Sequence, residues 1–268
     1  MINRVRVHSS FRPCAFLAAT SVACCIALGC NKAGDSADAD AQMSGGTINS
    51  KDSMKASDPL GYSVRINLDS GWICSGTLIH KRVVLTAAHC NIVVGNEVES
   101  KAGNKLTTYK VKKVLSESSF RNGNEGAADY STYSSVDFAL ILLDRDAVGR
   151  TLELAIKAPI VGDTVSTSGF GANNTEDADG QLRTSTNKVQ KIHDSKMFPG
   201  RATIQISRGT GISCSGDSGG PLVQNGKLAG VLHGGDGDGT CKGKVLSLYA
   251  SVVHHKAWIE SSLKAILK

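Results

Sequence analysis

The sequence predicts an all-β domain, a barrel or a sandwich, closed at its C-terminal end by one helix. Short apolar runs recur along the chain with turn signals between them, the pattern of many short strands. The 29 glycines, set against 5 prolines, fit a globular chain with many turns. Only one segment has a helical period: Ile259, Leu263, Ile266 and Leu267 recur at i, i+4, i+7 and i+8. Many strands with one terminal helix leave the all-β architectures as the simplest reading.

In chain order, strands are expected at Tyr62–Leu68, Trp72–Ile79, Val83–Ala87 and Leu106–Val114, with Phe138–Leu143 closing a first group. A second group comprises Thr164–Ser168, Lys188–Ile192, Ala202–Ile206, Pro221–Gln224, Lys227–Leu232 and Val245–Ser251. The boundary falls near Asp146–Pro159, and no internal repeat is visible. After a targeting segment is subtracted, 268 residues suffice for one large all-β domain or two small ones.

That targeting segment is residues 1–29. Arg4, Arg6 and Arg12 precede an apolar run from Cys14 to Gly29, the charged and apolar regions of a signal peptide. The run is short for a membrane span and is interrupted by Thr20 and Ser21. It ends Ala27-Leu28-Gly29-Cys30, which resembles a bacterial lipobox and makes Cys30 the expected lipid carrier. Several acyl chains there would anchor the protein stably to a membrane; cleavage nearby without lipid is the alternative. Residues 30–47 are small and polar, too poor in apolar side chains to order themselves, and are expected to form a flexible tether. The net charge of +6 falls to +3 without the three arginines of the leader, and no nucleic-acid partner follows from it.

The chemistry concentrates in Ser213–Leu222, Ser-Cys-Ser-Gly-Asp-Ser-Gly-Gly-Pro-Leu. Gly216, Gly219 and Gly220 permit a tight turn that exposes the Ser218 hydroxyl and can aim two N–H groups at one spot. A serine hydroxyl needs an adjacent base. Thr86-Ala87-Ala88-His89-Cys90 offers an imidazole at the end of an apolar strand, and Val136-Asp137-Phe138 a carboxylate at the start of one. Asp137 would be buried there and need a partner, whereas Asp129 and Asp144 belong to more polar surroundings. Gly216-x-Ser218-x-Gly220 also fits the nucleophile elbow of α/β-hydrolases, with Asp236 and His254 following in order. That elbow must enter a helix, but Pro221-Leu222-Val223 reads as strand onset. Asn173–Gly180 hints at a calcium loop but has threonine where its first and last acids should stand, so a surface loop and no metal are expected.

The segments Leu85–Cys90, Asp137–Leu140 and Gly216–Pro221, in the order His, Asp, Ser, resemble the trypsin/chymotrypsin family of serine peptidases. Weaker echoes are Cys74–Ile79 and Gly169-Phe170-Gly171, and the resemblance spans roughly Ile48 to Lys268. It implies two antiparallel six-stranded barrels with the site in the cleft between them. His89, Asp137 and Ser218 would be the catalytic triad, and the N–H groups of Gly216 and Ser218 the oxyanion hole. Of eight cysteines, Cys74, Cys90, Cys214 and Cys241 remain once the leader and Cys30 are set aside. An even number in an exported chain suggests two disulfides, and the resemblance selects Cys74–Cys90 and Cys214–Cys241. By the same resemblance Ile212 is the pocket floor, His233 and Gly235 are its wall, and Ser247 lies further round. An apolar floor favours a neutral substrate side chain, whereas an imidazole could favour an acidic one. Asp217 would pair with a new N-terminus at Ile48 after zymogen cleavage, although no Lys or Arg precedes Ile48. The reading is a secreted or lipid-anchored serine endopeptidase of the cell envelope, monomeric and without a cofactor, acting on proteins or peptides through an acyl-enzyme. A catalytically silent binding protein on the same fold is the alternative.

Overall fold

Residues 47–48, 61–102, 105–121, 134–172, 180–236, 241 and 246–268 are described by the computed structural model. All of them belong to the unit Ala37–Lys268. The leader, Cys14, Cys24, Cys25, Cys30, the tether up to residue 46, Asp129 and residues 173–179 of the acidic loop lie outside the described residues, as does the side chain of Ile48.

The first barrel is built from β2 (Ser63–Asn67), β3 (Ile73–His80), β4 (Val83–Thr86), β5 (Glu97–Ala102), β6 (Lys105–Ser116) and β7 (Ala139–Leu143). It closes in the order β2-β3-β4-β7-β6-β5. Val64, Ile66, Leu78, Val83, Leu85, Val98, Tyr109, Val111 and Leu140 are buried in its core. Strand β5 carries no apolar alternation in Glu-Val-Glu-Ser-Lys-Ala: its buried positions are Val98 and Ser100, and charged residues stand between them. A strand with one inward hydrophobe has almost no period-2 apolar signal, and none was expected there.

The second barrel comprises β8 (Thr164–Gly169), β9 (Arg183–Asp194), β10 (Ala202–Ser207), β11 (Pro221–Gln224), β12 (Lys227–Gly235) and β13 (Leu246–Ser251). Its strands run β9-β10-β13-β12-β11-β8, and the pairing of β8 with β9 closes the ring. A short β1 (Thr47–Ile48) pairs with the start of β9, Ile48 opposite Arg183. Strand β9 begins five residues before the expected Lys188 because its first half is held by polar contacts. Ser185 Oγ lies 2.8 Å from Thr167 Oγ1 and donates to Asn187 Oδ1 at 2.7 Å, and Asn187 Nδ2 donates to the carbonyl of Gly211 at 2.8 Å. A buried hydroxyl–amide ladder satisfies the interior without apolar residues.

Helix α1 (Val252–Ile266) leaves β13 without a break and packs on β12, β7 and β6, so it joins the end of the second barrel to the first. Ile259 and Ile266 are buried as the periodicity requires, whereas Leu267 ends the helix and is 42% exposed.

Candidate active site

Register brings the first two groups together. Thr86 pairs with Ala139 across β4 and β7, so the residues just after β4 and just before β7 lie at one end of the first barrel. There the chain makes a 3-10 turn, Ala88–Cys90, that ends on Asn91 in the left-handed region at φ 50°. His89 sits in this turn, and the disulfide Cys74–Cys90 fastens it to β3, with Cα atoms 6.4 Å apart. A second 3-10 turn, Ser134–Val136, delivers Asp137. The His89 backbone N–H donates to Asp137 Oδ1 at 2.9 Å, and His89 Nδ1 lies 2.6 Å from Asp137 Oδ2. Asp137 is 0% exposed and the His89 side chain 25%.

Ser218 arrives from the second barrel, on the turn before β11. Gly216 and Gly219 have φ of +94° and +81°, backbone that only glycine adopts freely. A Cβ on Gly219 would lie 2.1 Å from Thr86 Oγ1, so its absence lets this turn lie against the end of β4. Ser75 of β3 clamps the turn. Its N–H donates to the Ser218 carbonyl at 2.7 Å, and its hydroxyl donates to the Gly216 carbonyl at 2.9 Å. With both carbonyls held on one side, the neighbouring N–H groups divide. Those of Asp217 and Gly220 bond to Cys214 and Asp217 carbonyls, but among the described residues the N–H groups of Gly216 and Ser218 meet no acceptor. Ser75 was missed in the sequence because its contacts join residues 141 positions apart and a lone serine in a strand has no local signature.

His89, Gly216 and Ser218 line one cleft of about 620 Å³, with Leu68, Trp72, Ile73 and Val93 as its apolar wall. No hydrogen bond joins Ser218 Oγ to His89 Nε2 among the described contacts. Such bonds are often long before substrate is bound.

A sequence model of the family described as Trypsin matches residues 48–259. The chain belongs to the trypsin family of serine peptidases. It is 32% identical over 211 residues to snake venom serine protease PTLE1 of Gloydius halys, covering 72% of this chain and 78% of that protein. Seminase of Drosophila melanogaster is 29% identical over 229 residues, with 77% and 78% covered. Serine protease 1 of Homo sapiens is 28% identical over 219 residues, with 75% and 84% covered. Among solved structures, neuropsin, a serine protease expressed in the limbic system of mouse brain, superposes with a TM-score of 0.63 at 24% identity, covering 76% of this chain and 95% of that one. That likeness establishes the two-barrel fold with its C-terminal helix. The protein is a serine-type endopeptidase of the trypsin family.

Electrostatics at the trypsin-family site centre on Asp137. Burial alone would raise its carboxyl, but the charges and hydrogen bonds of His89 and His233 outweigh burial and hold it well below the usual carboxylate range. Burial pulls the His89 imidazole down, yet Asp137 outweighs it, so the imidazole holds its proton more tightly than a free one. The His233 ring is 5% exposed and turned toward the same carboxylate, its Nδ1 2.6 Å from Asp137 Oδ2. The case for an acidic substrate side chain drawn from this imidazole therefore lapses.

The other expected pocket positions gather in the second barrel. Gly235 pairs with Ser247, Ser247 Oγ hydrogen-bonds Ser213 Oγ, and Ile212 is fully buried. The disulfide Cys214–Cys241 spans the same region, with Cα atoms 5.4 Å apart. Asp217 is buried, its oxygens accepting the N–H groups of Gly171 and Cys214, each at 2.8 Å. Asp236 and His254 are occupied elsewhere, Asp236 by the Leu246 N–H and His254 by Ser251 Oγ, and Pro221 opens a strand. Asp144 lies on the surface side, paired with Arg145.

Proposed function

We propose that Ser218 is the nucleophile, His89 the general base and then acid, and Asp137 the carboxylate that orients it. Ser218 Oγ would attack the substrate carbonyl carbon while its proton passes to His89 Nε2. The carbonyl oxygen, now an anion, would be held by the N–H groups of Gly216 and Ser218. Collapse expels the amine, which takes the proton from His89, and water then hydrolyses the acyl-serine by the same route reversed. The observation that carries this reading is the pair of acceptor-less N–H groups beside Ser218, in the cleft that also contains His89. A catalytically silent binding protein would have no need of that pair.

The buried Ile212 and the absence of an acid at that position favour a neutral, apolar or medium-sized residue on the acyl side of the scissile bond. The apolar wall of Leu68, Trp72, Ile73 and Val93 suits an apolar leaving-group segment. Two disulfides and the leader sequence fit an exported protein. A lipid on Cys30 would hold it at the envelope until cleavage before Ile48 frees the domain, with Asp217 as partner of the new N-terminus. The test is pre-steady-state hydrolysis of an activated peptide ester by two forms of the chain, one starting at residue 30 with Cys30→Ser and one at Ile48. A burst of one equivalent of alcohol, absent in Ser218→Ala, is expected from the Ile48 form. No burst from either folded form contradicts the triad assignment, and equal bursts from both contradict activation by cleavage. Steady-state rates on peptides varying only at the acyl-side residue test specificity, and a strong preference for Lys or Arg contradicts the neutral pocket.

A further inference from the structure

The geometry points to His233 as a positioning residue that acts through Asp137, coupling its own proton to that of His89. The inference rests on the triad reading above. Asp137 Oδ2 lies 2.6 Å from Nδ1 of both imidazoles, so one oxygen is shared between two rings. A carboxylate only accepts, so each ring must present its N–H at Nδ1. That fixes the His89 tautomer with a bare Nε2 toward the cleft, as a base requires, and gives His233 the same tautomer. The rings stand edge to face, 5.6 Å between centroids. His233 reaches this place because the register of β12 slips between Leu232 and Gly234, and a bulge of this kind re-aims the extra side chain.

Sharing has a thermodynamic consequence. A proton taken up by either imidazole makes a cation beside the common carboxylate and weakens the hold of that carboxylate on a proton of the other ring. The burial of Asp137 and His233 keeps this coupling from being screened away. The ionisable groups on the elements packed against β12 are His89 after β4, Asp137 before β7, Tyr249 on β13, and on α1 His254, His255 bound to Glu117, the pair Lys256 and Glu260, and Lys264. Strand β11 carries none. Among the described residues, only the imidazoles of His89 and His233 share the Asp137 carboxylate. His89 must be neutral before attack, so the loss of activity on the acid side follows its protonation. A charged neighbour resists that protonation, so the acid limb is broader than a one-proton curve and lies at lower pH than His89 with Asp137 alone would give.

The experiment is kcat/KM against pH for a peptide ester, using the mature chain and its His233→Gln and His233→Ser forms, which keep a donor but cannot be charged. The acid limb of both variants is expected to sharpen to a single-proton curve and to move up by about half a pH unit or more. A limb that superimposes on the wild type, or moves down, overturns the proposal. A second measurement does not depend on the His233 variants folding or on turnover: NMR titration of 13Cε1-labelled histidine in the Ser218→Ala chain. His89 and His233 are each expected to show two inflections, one sensing the proton of the other, and single independent inflections overturn the coupling. A wild-type chain that fails to hydrolyse the ester while these inflections are present contradicts the triad reading alone.

Discussion

Asp137 is the residue on which the site's electrostatics turn, because a fully buried carboxylate faces two imidazoles and one backbone N–H. Replacing it by Asn would leave the shape and remove the charge, and the amide could present the wrong group to His89 Nδ1. We expect Asp137→Asn to lower kcat by about 10⁴-fold near neutral pH, with a far smaller change in KM. Gly219 makes a steric prediction. Gly219→Ala would meet Thr86 Oγ1 and the Ser75 carbonyl in a backbone conformation that alanine resists. It is expected to cost about 2 kcal/mol or more in denaturant unfolding and to abolish ester hydrolysis by displacing Ser218. At this scale the sequence was most legible where chemistry demands particular types in a particular order, as in the pairing of His89 with Asp137. It was least legible at Ser75. Its role arises from contacts between distant segments, just as the His233–Asp137 contact joins residues 96 positions apart.

Helix α1 and the segment after β6 hold a pair of groups outside the site. His255 is fully buried, its ring stacks on Phe138 with centroids 4.6 Å apart, and Nε2 lies 2.7 Å from Glu117 Oε2. Among the described residues its Nδ1 has no partner, so a second proton there would be an unsatisfied buried donor. Burial, only partly opposed by Glu117, pushes this imidazole down to about 4. The unfolded chain therefore takes up a proton near pH 6.5 that the folded chain refuses. Stability is complete above that pH and is lost as pH falls toward about 4, by up to about 3 kcal/mol from this group. Glu117, held below its usual range chiefly by the Ser119 and His255 hydrogen bonds against the raising effect of burial, adds loss at the acid end of the same window. Urea unfolding at pH 8, 6 and 5 should show the decline, and His255→Gln should flatten it above pH 5. Strands were legible wherever apolar residues alternate or run together, as in β4 and β7. The start of β9 and the whole of β5 were not, because Ser185, Asn187 and Ser100 occupy inward positions and carry no hydrophobic period.

At the scale of the whole molecule, the proposed site is complete in neither barrel alone. The first supplies His89 and Asp137, the second Ser218, and the interface between Ser75, Thr86 and the Gly216–Gly220 turn sets their distance. The disulfide Cys74–Cys90 closes a loop with a sequence separation of 16 that contains the His89 turn. Replacing both cysteines by serine is expected to cost about 3 kcal/mol, read as a lower denaturation midpoint, with weaker activity because the His89 turn loses its tie to β3. That one chain forms two closed barrels cannot be seen in strand pattern alone, since closure depends on which edges pair, β2 with β5 and β8 with β9. The family resemblance carried that step where periodicity could not. The central claim is that Ser218 is a nucleophile activated by His89 across this interface. Covalent labelling of the folded Ile48 form by a fluorophosphonate, read by intact mass beside Ser218→Ala and Asp137→Asn, tests it most directly. The account predicts one adduct on Ser218, none in Ser218→Ala and a much slower one in Asp137→Asn. A folded wild-type chain that takes up no label, or takes it up equally in Ser218→Ala, would contradict it.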